Sequence, residues 1–311
     1  MKRIRYVFWI AAGPLAVLMA MLAAAHPHLA FTERSGSDVL VVEGWMEEPH
    51  LLETALWADS LQYQRIYTTG SVRPFAYYLK VDEAIEIRFG QVVTGDLRLN
   101  VSGLAGAGFR VMAGEDTLME RYVVNEATDF EAEQPVSTDR LRITSLHNGS
   151  TDRTTENIFI QYCTIGGENV HLLQVATWFI QPDGTRGNAW PTYAHSSAAR
   201  LAQAGLPPQR ITAVPSWGRP DSRSWANASY FAVQADTDDI RAFDVITVGV
   251  HARRSRELFR RACGTGTTVG VISLEDPHCP ADGWWRMRSG WVQMLKEIAG
   301  SSEPIAVDLT H

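Results

Sequence analysis

His251, Arg253 and Arg254 stand together in the run ITVGVHARRSRELF, where an apolar strand pattern gives way to a helical one. A histidine in such a place can serve as acid, base, hydrogen-bond donor or metal ligand. Two arginines in the first turn of a helix oppose its dipole, which favours anions there. They are tolerable where an anion sits between them and the backbone N–H groups, which points to a phosphate, pyrophosphate or carboxylate ligand. Arg219 and Arg223, on the preceding SWGRPDSRS loop, could extend the same positive pocket. The competing reading is a solvated arginine face, with His251 satisfied by backbone.

Other chemistries are less well served. A Ser-His-Asp set can be assembled on paper from Ser71 or Ser224 with His251 and Asp221, but no G-x-S-x-G elbow accompanies it. No H-x-x-x-H or C-x-x-C spacing offers a zinc site. The glycines of GTGTTVG, Gly264 to Gly270, follow a helical pattern and open a strand. Phosphate-cradling glycines do the reverse, so these read as a helix stop and a turn.

The elements that must position these residues read as two kinds. DVLVVEG, RIYTTG, RITAV, FDVITVGV and TTVGVISL are short apolar runs separated by helical patterns, the mark of buried parallel strands in an α/β fold. Between the second and third of them, from about residue 77 to 175, the period changes. EAIEIRF, DLRLNVS, FRVMA, MERYVV, DRLRITSL, ENIFIQY and VHLLQV alternate, with turn residues between them, as an antiparallel β-sandwich does. The reading is a doubly wound, mostly parallel α/β domain (residues 38–71 and 176–300) with a β-sandwich inserted at 72–175. In open α/β sheets ligands bind beyond the carboxyl ends of the strands. That adds Glu43 and Gly44 after the first strand, and Thr69, Gly70 and Ser71 after the second, to the candidate ligand residues.

The chain has 311 residues, 45% of them hydrophobic, and a net charge of −7. This composition excludes a disordered chain, and the absence of a basic stripe excludes a general nucleic-acid binder. The N-terminus reads MKRIR and then an uncharged run from Tyr6 to Ala25. About 20 apolar residues suffice to span a bilayer. The basic flank sets residues 1–5 in the cytoplasm and the globular part outside it, behind an uncleaved signal anchor in the cytoplasmic membrane. Ala23 to Ala25 leave cleavage open as an alternative. In an oxidising compartment Cys263 and Cys279 could pair, leaving Cys163 over; three buried free thiols are the alternative. Trp284, Trp285 and Trp291 read either as a sugar- or membrane-facing cluster or as core and staple residues, and the latter is preferred.

Two resemblances follow from these residues. FDVITVGVHARRSRELFRRACG resembles the V-T-x-x-x-H-x-x-R stretch of the SanA/YdcF/ElyC family of bacterial envelope proteins, and VVEGW, TTG, GLPPQRITAVP and SRSWANA fall in that family's order. The resemblance implies a Rossmann-like domain associated with envelope polysaccharide or lipid-carrier metabolism. It implies ligand roles for Thr247, His251, Arg254, Ser224, Asn227 and Gly70. Glu43, Trp45, Thr69, Ser71 and Ala226 depart from its pattern. LRITSLHNGSTDRTTENIFIQYCTIGG is similar to a segment of calcium-dependent xylan-binding carbohydrate modules. That similarity implies polysaccharide as a partner and calcium held near Asn148, Asp152, Glu156 and Asn157, with a sandwich that kept its fold and lost its metal as the alternative.

Overall fold

The computed structural model describes residues 24–149, 152, 156–217 and 222–300. Almost all of the expected membrane span, residues 6–25, lies outside them. No helix of the described residues is long and apolar enough to cross a membrane.

The chain divides into two compact units. The first takes the described residues up to Gly70, Ser197–Ser216 and those from Ser222 on; the second takes Ser71–Ser196 and Trp217. The first unit is built on a five-stranded parallel sheet. Its strands are β1 (Val39–Glu43), β2 (Arg65–Ser71), β14 (Ile211–Ser216), β15 (Ala242–Val248) and β16 (Thr268–Leu274). Their spatial order is β14-β2-β1-β15-β16. The chain therefore runs outward from β1 on one side, then returns to start again beside β1 on the other. That reversal is the doubly wound arrangement expected from the pattern of strands.

The near-continuous apolar character of β1 follows from burial on both faces. Leu40 and Val42 face a core shared with Leu51, Ala55 and Ala58 of helix α1 (Glu48–Ser60) and with Leu201 of helix α3 (Tyr193–Gln203). Val39 and Val41 face the opposite core. There they meet Phe231 of helix α4 (Arg223–Thr237) and Leu258 and Phe259 of helix α5 (Ala252–Cys263). A continuous apolar strand between two helical layers is what a parallel sheet requires. The last helix, α6 (Arg288–Gly300), buries Gly290, Met294 and Glu297.

The second unit holds two antiparallel sheets around one core. The first sheet orders β11 (Glu168–Asn169), β10 (Ile158–Ile165), β5 (Leu97–Gly103) and β8 (Thr128–Glu131), with β3 (Tyr77–Leu79) also pairing with β10. The other orders β13 (Arg186–Asn188), β12 (Gln174–Ile180), β4 (Ala84–Gly95), β9 (Val136–Leu146), β6 (Gly108–Ala113) and β7 (Asp116–Tyr122). Leu99, Val101 and Ile160 of the first sheet pack with Ile85, Phe109 and Ile143 of the second.

Two boundaries differ from the sequence reading. The insertion does not end at residue 175, because β12 pairs with β4 and β13 with β12. VHLLQV is not one strand: Val170–Leu173 form helix α2, capped by the Asn169 side chain, which accepts from His171 N. A side-chain oxygen at that position satisfies a helical N–H and so competes with strand pairing. The pairing offered for Cys263 and Cys279 is not made; Cys163, Cys263 and Cys279 are free thiols.

Candidate functional site

The order of the parallel sheet reverses between β1 and β15, so the place to look is beyond their carboxyl ends. Backbone and hydroxyl contacts hold this edge level. Gly44 N donates to Thr69 O at 2.7 Å, Thr69 Oγ1 to Val42 O, and Ser197 Oγ to Gly44 O at 2.9 Å. Glu43 is buried, and its Oε2 accepts from Ser255 Oγ of α5 at 2.7 Å. At the end of β14, Ser216 Oγ donates to Asn227 Oδ1 of α4 at 2.7 Å, both residues buried.

The turn after β15 aims His251. Gly249 has φ +52°, and a Cβ there would sit 2.8 Å from Asp276 Cβ. Only glycine meets both conditions at low cost. A short 3-10 turn, Gly249–His251, then leads into α5. Ser273 Oγ donates to Gly249 O, tying this turn to β16. His251 ends beside Trp45, edge to face with ring centroids 5.0 Å apart.

Behind the imidazole lies Glu297 of α6, fully buried. Its Oε1 is 2.9 Å from His251 Nδ1 and 3.6 Å from Arg254 Nη1. Neither oxygen of Glu297 accepts a well-aligned hydrogen bond among the described residues. Its neighbours are these two basic side chains, and a buried carboxylate needs such neighbours. With a carboxylate beside Nδ1, Nε2 is the ring nitrogen left to exchange a proton. Among the described residues no hydrogen bond reaches Nε2. Close by in sequence, Thr247 is fully buried at the end of β15, and its Oγ1 has no partner there either.

The arrangement gathers Glu43, Trp45, His251, Arg254, Ser255 and Glu297 at one end of the parallel sheet. Other expected residues lie elsewhere. Arg253 is exposed, with Nη1 2.6 Å from His28 Nε2. Arg223 is exposed in the first turn of α4, where Ser222 is the cap and Ser224 is half-buried. Gly70 lies within β2, and Ser71, its last residue, is buried. Arg219 and Asp221 lie outside the described residues. The anion expected beside Arg254 has a counterpart within the chain, the Glu297 carboxylate. Sequence reasoning missed Glu297 and Ser255. Two signals could have found them: Ser255 lies one helical turn beyond His251, and Glu297 is the one acidic residue between Trp284 and Gly300.

In the second unit, the four residues named for calcium are largely committed to protein partners. Glu156 is fully buried; Oε2 accepts from His147 Nδ1 at 2.6 Å and Oε1 from Asn148 N at 2.9 Å. Asn148 Nδ2 donates to Gly106 O, and Asn157 joins Val81 N to the Tyr78 hydroxyl. Asp152 is exposed. Calcium takes six to eight oxygens, several of them charged. This donor set offers one buried carboxylate already used, and it does not fit that cage.

The outer face of the β3–β10–β5–β8 sheet is different in kind. Tyr78 and Phe159 are directly opposed across β3 and β10, and both are exposed. A register shift between Ile160 and Tyr162 inserts Gln161, so Tyr162 is exposed beyond Phe159 while Cys163 returns to the core. Such a bulge re-aims the side chains that follow it. Asp129 Oδ1 accepts from both Tyr162 Oη, at 2.8 Å, and Asn100 Nδ2. The result is three aromatic rings edged by amide, hydroxyl and carboxylate groups.

Compared with protein-family models and with curated proteins, the chain matches none.

Proposed function

We propose that the chain is a membrane-anchored envelope protein of the SanA/YdcF/ElyC kind. Its α/β unit takes a small anionic or phosphorylated envelope metabolite at the carboxyl edge of the parallel sheet, and His251 acts there as acid or base. The observation that carries the reading is His251, backed by the buried Glu297, flanked by Trp45 and with no hydrogen bond to Nε2 among the described residues, where the strand order reverses. Arg254 supplies the fixed positive charge. Thr247 Oγ1, Gly44, Gly70, Ser224 and Asn227 are the further ligand groups of the proposal.

The inserted sandwich binds a polysaccharide in this reading. Tyr78, Phe159 and Tyr162 support it, since exposed rings on one sheet offer apolar surface to a sugar, and the two tyrosines add polar tips. Calcium has no support in the donor set, and no step is assigned to it. An alternative is a glycan-binding scaffold without turnover, favoured by the Glu297 carboxylate that already faces Arg254.

Thermal unfolding of the full chain with inorganic phosphate, sugar phosphates and polyprenyl phosphates tests the first reading. A ligand that binds only the folded state raises the midpoint. A rise with a phosphorylated compound that is lost in Arg254→Ala supports it. No rise with any of them, and a rise with polysaccharide alone, gives the scaffold reading.

A further inference from the structure

We infer that the C-terminal helix α6 and the Trp285 turn before it form a lipid-facing surface, seated in the headgroup region of the bilayer to which the chain is anchored. The inference rests on the membrane attachment proposed above and says which face of the α/β unit meets the membrane.

Helix α6 is amphipathic in an unusual sense. Its buried stripe is narrow, Gly290, Met294 and Glu297. That stripe fits closely, since a Cβ at Gly290 would collide with the Trp284 carbonyl. The next stripe, one helical turn apart in each step, is apolar and exposed: Trp291 is 36% exposed, Leu295 59% and Ile298 47%. Val292 and Trp285 extend it. Soluble surfaces seldom gather large apolar side chains in one exposed patch.

The tryptophans divide between two roles. Trp284 is buried, in a cluster with Leu29, Val250, Cys279 and Met294. Trp291 stacks edge-on against it at 4.9 Å, and its indole N–H donates to Trp285 O at 2.8 Å. Its ring is thereby held at the surface with the polar atom already satisfied. Trp285 lies beside it, 46% exposed. Tryptophan is the residue enriched where protein meets the membrane–water boundary.

Two observations name a bilayer as the occupant. The first is charge. Arg286, Arg288 and Lys296 lie on the same turn and helix and are exposed, whereas Glu297, the one acid between Trp284 and Gly300, is buried. Cations along an apolar face, with no exposed acid among the described residues from Trp284 to Gly300, complement anionic headgroups. The second is continuity with the anchor. The apolar run Tyr6–Ala25 ends where Ala25 packs against the same cluster as Trp284 and Met294. A chain that leaves the bilayer at Ala25 reaches α6 within one layer of side chains.

The test uses the full chain in nanodiscs of phosphatidylcholine with a minority of phosphatidylglycerol. Single cysteines replace Leu295 on the patch, Leu52 on α1 as an exposed reference, and Leu15 in the anchor, each in a Cys263→Ser background. Nitroxide labels then report accessibility to oxygen, which partitions into lipid, against a water-soluble nickel chelate. The inference expects the oxygen-to-nickel ratio at 295 to exceed that at 52 several-fold. An aqueous signature at 295 overturns it. If the Leu15 label is in lipid at the same time, the anchor reading stands and only the surface assignment fails; if it too is aqueous, the anchor reading fails as well. Spin–spin broadening at 295 that grows with protein-to-lipid ratio would assign the face to a second copy of the chain. A label shielded from both reagents would assign it to the chain's own terminal residues. Either result overturns the lipid assignment.

Discussion

Glu297 Oε1 lies 2.9 Å from His251 Nδ1, so the last helix supplies the carboxylate that backs a histidine at the start of α5. Arg254 approaches the same oxygen at 3.6 Å. The three form one charge cluster around a buried carboxylate, and removing a basic member leaves that carboxylate less compensated. A double-mutant cycle of Glu297→Gln and Arg254→Gln should therefore be non-additive, with a coupling on the order of 1–3 kcal/mol in urea unfolding. Additive costs would mean that Glu297 is held by packing alone. His251→Gln should cost less stability than Glu297→Gln, because the imidazole is partly exposed and the carboxylate is not.

The sandwich face gives a separate expectation. Tyr78, Phe159 and Tyr162 are exposed, so alanine at each should change stability by no more than about 0.5 kcal/mol. Retardation on polysaccharide-containing native gels should nevertheless fall with each change, and most with the pair Tyr78→Ala and Phe159→Ala. Asp129→Ala should act in the same direction, since it frees the Tyr162 hydroxyl. Chelation should leave retardation unchanged, because Glu156 already spends both oxygens on His147 and the Asn148 amide. Loss of retardation on adding a chelator would return the site to the 148–157 loop.

The parallel sheet was legible because its central strands are buried on both faces, and VLVVE and FDVITV are mostly apolar for that reason. The change to alternation at Tyr77 was legible for the same reason, as one face of each sandwich strand looks outward. The end of the insertion was not. QVATWFI reads equally as a central α/β strand, and only its pairing with β4 assigns it. His251 could be placed from the strand that precedes it. Glu297 stands out as the one acid of its helix, but a lone acid in an amphipathic helix usually faces water, and its burial is decided by where α6 docks. The same holds for Trp284 and Trp291: their contrast in exposure is decided by tertiary packing.

Gly270 offers a sharp test of the sheet's opposite, amino-terminal region. Asp244 is fully buried there; it accepts from Ser35 N at 2.6 Å and from the Tyr63 hydroxyl at 2.5 Å. Burial and this carboxylate together push the Tyr63 phenol up from its ordinary range. A Cβ at position 270 would collide with Asp244 Oδ1 and Ser35 N. Gly270→Ala must displace the carboxylate from its donors, at a cost of about 3 kcal/mol or more. The urea midpoint should fall accordingly, whereas Gly266→Ala, which has open space around it, should leave the midpoint within about 0.5 kcal/mol of the parent. Equal effects at the two glycines would remove the explanation.

His171 sets a pH dependence within the sandwich unit. It is buried, with Nδ1 3.1 Å from Arg73 O and Nε2 2.7 Å from the Tyr77 hydroxyl. Burial, to which the Arg73 charge adds, lowers its pKa to about 4 although the Arg73 carbonyl pulls the other way. An unfolded chain holds this proton from about pH 6.5 downward. Between that value and about 4 the unfolded state therefore binds more protons than the folded one, and stability falls as pH falls. The full contribution is present above pH 6.5, and up to about 3 kcal/mol of it is gone once the pH is below 4. Urea midpoints from pH 8 to 4 should show this slope, and His171→Gln should be less stable at pH 8 but flatter across the same interval. His195, whose pKa burial also lowers, and the carboxylates titrate in both proteins and cancel in the difference. Parallel curves for parent and variant would show that His171 does not carry the proton.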